Sequence, residues 1–78
     1  MTDSSSVKII SRSDGKARFE VFSRTDGLFY FEEHKFVKDD EYGNYFYPTH
    51  VSGLYPSKDD AINEAYAIIP WLKSEISN

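Results

Sequence analysis

His34 and His50 are the only two histidines, and Glu32 stands two residues before the first. Two imidazoles and a carboxylate on neighbouring strands can ligate a divalent cation. A five-residue loop over 40–44 would set His34 directly opposite His50. The competing reading is a pair of ordinary strand histidines, because the spacing places no third strong ligand. The expectation is therefore no metal and no other cofactor, with His34 and His50 as the two candidates to check.

Acids come in runs: Glu32-Glu33, Asp39-Asp40-Glu41 and Asp59-Asp60. Paired carboxylates can share a proton and do acid–base work, but they need a concave, partly apolar pocket. The second run falls in a polar turn and the third in the first turn of a helix, so each has a structural explanation. No serine sits in a Gly-x-Ser-x-Gly elbow, and no Gly-rich phosphate loop occurs. The reading is non-enzymatic, with no catalytic residue assigned.

What remains is a set of bases interleaved with rings: Arg18, Phe22, Arg24 and Tyr30. Bases neutralise phosphates and rings stack on bases, which suits nucleic acid. The same residue types are enriched at protein interfaces. Net charge is −4, which disfavours a general nucleic-acid binder. The charge is also uneven: residues 1–27 carry five bases and four acids, and residues 28–78 carry four bases and nine acids.

These residues must be held by a small frame. Seventy-eight residues make one domain, with no cysteine to staple it. Six Phe, six Tyr and one Trp supply the core instead. The start, Met1 to Ser6, is polar and lacks the apolar run of a signal peptide. It reads as a disordered tail. No window is apolar enough to span a membrane, so the expected location is cytoplasmic.

Four β-rich runs follow at about 7–12, 16–24, 28–38 and 45–52. Ser13-Asp14-Gly15 and Thr25-Asp26-Gly27 both fit three-residue hairpin loops with glycine in the left-handed position. Counting back from them puts Val7 opposite Val21, Ile9 opposite Phe19, Val21 opposite Phe31 and Ser23 opposite Phe29. One apolar face results. The other face would carry Lys8, Ile10, Arg12, Arg18, Glu20, Phe22, Arg24, Leu28, Tyr30, Glu32 and His34. Pro48 marks the fourth strand as an edge.

A helix is predicted over about 58–69. Ser57 caps it, Asp59 and Asp60 suit its positive end, and Ala61, Ala65, Ile68 and Leu72 form its apolar stripe beside Ile62 and Ile69. Leu54 is placed to staple its start. Pro70-Trp71-Leu72 terminates it. The fold class is α+β: an antiparallel three- to four-stranded meander packed on one C-terminal helix, in the order β-β-β-β-α. One helix covers one sheet face and leaves the other for contact.

The segments Ser52-Gly53-Leu54-Tyr55-Pro56-Ser57 and Ile69-Pro70-Trp71-Leu72 resemble those of small uncharacterised bacterial single-domain proteins. The resemblance covers the C-terminal third, and it implies a bacterial source and no known activity. In topology alone, three strands and a helix look like the AP2-type DNA-binding domain and the arm-binding domain of phage integrases, which read DNA with the strand face. The expected role is thus a small binding or accessory module. It would contact a protein partner, or itself as a homodimer, through Arg18, Phe22, Arg24 and Tyr30. The alternative is DNA binding by the same face, and a third reading is metal-dependent activity at the two histidines.

Overall fold

A computed structural model describes residues 4–76. Four strands run β1 Ser4–Ser11, β2 Ala17–Arg24, β3 Phe29–Val37 and β4 Tyr45–Val51, followed by helices α1 Lys58–Ile68 and α2 Leu72–Ile76. The strands form one antiparallel sheet in the order β1-β2-β3-β4. This is the expected α+β meander. The principal extents are 40 × 35 × 16 Å, a thickness that holds one sheet and one helical layer and no third.

The second hairpin has the predicted register. Arg24 N–H donates to Leu28 O at 2.8 Å, Gly27 takes φ 87°, and Val21 and Ser23 face Phe31 and Phe29. The first hairpin departs from it. Arg12 N–H donates to Ala17 O at 2.9 Å, so the loop is the four residues 13–16. Asp14 holds this wider loop, accepting from Lys16 N–H at 2.9 Å and from Arg12 Nε at 2.8 Å. Ser13 N–H adds a bond to Glu75 at 2.9 Å, tying the loop to α2. Ile10 rather than Ile9 therefore faces Phe19, and Lys8 rather than Val7 faces Val21. A bulge between Ser6 and Lys8 absorbs the extra residue, and Ser6 pairs with Phe22 as the three-residue loop requires. Residues 4–6 are thus strand and not tail, because β2 is long enough to template them. Residues 1–3 lie outside the described residues.

The third hairpin also differs. Val37 pairs with Tyr45, leaving a seven-residue loop over 38–44. Asp39 organises it by accepting from Glu41 N–H at 2.8 Å and Tyr42 N–H at 2.9 Å.

The core is Phe19, Val21, Phe31, Ala61, Ala65, Ile69 and Leu72. Phe31 lies at its centre, with ring centroids 5.5 Å from Phe19 and 6.1 Å from Tyr55. The two alanines carry the least side chain and let α1 lie close over β2 and β3, as read from the sequence. Ser57 caps α1, its hydroxyl accepting from Asp60 N–H at 3.1 Å. Ile69, not Ile68, completes the buried stripe, because the chain turns extended there (φ −107°) ahead of Pro70. The chain then resumes as α2 instead of ending, and Leu72 is fully buried. Leu54 is exposed, while Tyr55 packs on the core and exchanges two backbone hydrogen bonds with Phe29. Trp71 closes one end of the core and donates from Nε1 to Glu33 at 2.8 Å.

Candidate functional site: the helix-free sheet face

The pairings decide which side chains share the face opposite α1. Residues paired across strands project to the same side, and neighbours along a strand alternate. The buried Phe19, Val21 and Phe31 mark the helix side. Arg18, Glu20, Phe22 and Arg24 of β2 therefore occupy the other side, with Tyr30, Glu32, His34 and Phe36 of β3 and Phe46 and Pro48 of β4. From β1, Ile9 and Ser11 join them, paired with Glu20 and Arg18. Lys8 and Arg12, expected here, go to the helix side with the shifted loop, and so does Ile10.

All four predicted contact residues lie on this face and all are half-buried. Phe22 and Tyr30 are cross-strand partners whose rings stack at 5.0 Å and 17°. Arg24 pairs with Asp26 at 2.8 Å, while its Nε is buried without a partner. The Arg18 guanidinium carbon sits 4.3 Å over the Phe46 ring, and its Nε donates to His34 Nδ1 at 3.2 Å. Phe36 and Phe46, which sequence reasoning did not place here, form a second ring pair at 5.3 Å. Their spacing along β3 and β4 carried the signal, but only the seven-residue loop sets them opposite each other.

His34 is buried at 6% exposure. Its Nδ1 accepts from Arg18, so Nε2 carries the proton and donates to Glu32 Oε1 at 2.8 Å. Guanidinium, imidazole and carboxylate thus form one chain that uses both ring nitrogens. His50 does not meet it. A bulge between Glu33 and His34 sets His34 against Pro48 and His50 against Glu33 on the helix side, where His50 stacks on Phe31 at 5.7 Å. The two histidines occupy opposite faces of the sheet, so the metal reading loses its geometry. Among the described residues, no three His, Cys, Asp or Glu groups converge as a metal site.

At one end of the face a cavity of about 510 Å³ opens between Asp14, Gly15, Lys16, Phe36 and Lys38. Sequence reading singled out neither lysine.

The chain matches no known protein family, no curated protein and no solved structure. Among the described residues, no helix is long and apolar enough to cross a membrane.

Proposed function

We propose that the chain is a small non-enzymatic binding module that contacts a protein, either a partner or a second copy of itself, through the helix-free sheet face. The observation that carries this reading is the stacked Phe22–Tyr30 pair, flanked by Arg18 and Arg24, on a face no helix covers. Rings and arginines at the centre of a patch are the usual anchors of protein interfaces. The face balances its central charges, Arg18 and Arg24 against Glu20 and Glu32, and gains Ile9 at 55% exposure. A neutral, apolar-aromatic surface suits a protein better than a phosphate backbone, which needs an excess of bases.

The test is a Phe22→Glu, Tyr30→Ser variant whose fold is verified by circular dichroism. Wild type should sediment as a dimer or retain a specific protein from its native host, and the variant should lose that contact. Binding to random DNA duplex that falls steeply with salt would support the DNA alternative instead. A wild type that stays monomeric and retains nothing would overturn the proposal.

A further inference from the structure

We propose a second site on this chain, at the end of the helix-free face: the cavity between the first hairpin loop and the end of β3 binds a small phosphate monoester that carries a flat ring, a nucleoside monophosphate being the simplest example. About 510 Å³ lies within the range of small-ligand pockets and holds a phosphate and a ring together. Lys16 and Lys38 stand on its rim, and both are exposed. Among the described residues neither ammonium has an ion-pair partner within 4 Å, whereas Arg12 and Arg24 each have one.

The one acid in the cavity wall does not cancel them. Asp14 is held by Arg12 through two contacts of 2.8 Å and accepts from Lys16 N–H, and these bonds hold its carboxyl below the ordinary range. Arg12 makes both side-chain contacts to Asp14 and Lys16 also acts on it through space, so two ammoniums face one arginine-paired carboxylate and the cavity carries a net positive charge in a chain whose net charge is −4. Two ammoniums suit a dianion, and lysine binds phosphate as a point charge without demanding one geometry.

The wall supplies the rest. Phe36 lines the cavity and its ring is propped by Phe46 at 5.3 Å, so it offers a braced flat surface for stacking. Gly15 stands at φ 73°, the left-handed conformation the loop needs, and a Cβ built there would meet nothing within 4 Å, so this side of the cavity is open to solvent. Loop and strand are held together by Phe36 N–H donating to Lys16 O at 2.9 Å, which keeps cation and ring in one frame. Phe36 lies at the end of the same helix-free face, but Gly15, Lys16 and Lys38 lie outside the Phe22–Tyr30 patch, so changing the two lysines tests this site without touching the protein-contact reading.

The experiment is a titration of the full chain, followed by amide ¹H–¹⁵N shifts, with four probes: adenosine monophosphate, phenyl phosphate, inorganic phosphate and adenosine. The two ring-bearing phosphates should give saturable shifts at Gly15, Lys16, Phe36 and Lys38 below about 10 mM, an affinity two well-placed contacts can supply. Inorganic phosphate and adenosine should each bind about tenfold or more weaker, because each lacks one half of the ligand. A Lys16→Gln, Lys38→Gln variant should abolish saturation, while Lys8→Gln, which also removes an exposed lysine, should leave it intact. Phe36→Leu should erase the preference for adenosine monophosphate over inorganic phosphate. Non-saturating shifts scattered over every exposed base would overturn the proposal, and so would a lysine double variant that binds as wild type does.

Discussion

Replacing Phe22 by alanine should leave the protein folded, whereas replacing Phe31 should bring it close to unfolding. Phe31 is fully buried beside Phe19, Tyr55 and His50. Deleting such a ring costs about 3–5 kcal/mol through lost transfer energy and the cavity left behind. Seventy-eight residues at roughly 0.05–0.15 kcal/mol each give a total stability of about 4–12 kcal/mol, so Phe31→Ala removes a large share of it. Phe22 is half-buried and stacks on Tyr30 alone among the rings. The stack contributes about 0.5–1.5 kcal/mol and the covered half of the ring about as much again, so Phe22→Ala should cost about 1–3 kcal/mol. Urea unfolding of both variants measures the difference, and a double-mutant cycle with Tyr30→Ala isolates the stack at about 0.5–1.5 kcal/mol. An equal loss from Phe22→Ala and Phe31→Ala would refute the reasoning. The helix-free face would then be a second core and not a surface available to a partner.

Two further outcomes test how the elements are held. Ser52→Ala should cost about 1–3 kcal/mol, well above a surface change, because its hydroxyl accepts from Phe31 N–H at 2.8 Å and alanine leaves that donor unpaired; amide exchange at Phe31 should quicken, and protection equal to wild type would count against the role. Bonds from Arg12 and Lys16 N–H hold the Asp14 carboxyl below its ordinary value, so the stability it supplies is present above about pH 4 and lost as pH falls through the lowered native value. Urea midpoints followed down from neutral pH should therefore drop more steeply for wild type than for Asp14→Asn, and parallel curves would remove Asp14 as the holder of the first loop.

The topology and the β2–β3 register were legible because one loop read correctly and the apolar alternation agreed with it. In Thr25-Asp26-Gly27 the Asp26 carboxylate accepts from Leu28 N–H at 3.2 Å and pairs with Arg24 at 2.8 Å, and Phe31 on Val21 closes the core. The first loop has the same x-Asp-Gly pattern but different neighbours. Arg12 and Lys16 N–H hold Asp14 much as Arg24 and Leu28 N–H hold Asp26, but here Glu75, sixty-two residues away from Ser13, also accepts the Ser13 N–H. That added hydrogen bond, at about 0.5–1.5 kcal/mol, is of the same size as half-burying one valine on an edge strand. A contact that distant leaves no mark in the local pattern. The third loop went the same way, since Asp39 spends its carboxylate on Glu41 and Tyr42 and lengthens the turn. The Ser13–Glu75 bond in the first loop and the Asp39 bonds in the third accompany the longer loops, and loop length set the faces.

Loop length reaches the candidate site. With a three-residue first loop, Lys8 and Arg12 would join Arg18 and Arg24, and the helix-free face would carry a basic excess suited to nucleic acid. With the observed loop those two bases lie on the helix side, Ile9 replaces them, and the face is neutral at its centre. The Val7 bulge then restores the register for Ser4–Ser6, so the exchange is confined to the half of β1 next to the loop. The wider loop also presents Lys16 beside Phe36, which makes the positive end of the face a local concavity instead of a continuous stripe. Positive charge gathered in one cavity serves a small anion, and a neutral aromatic centre serves a protein surface. The opposite distribution, an unbroken row of bases along the strands, is what a bound phosphate backbone would require.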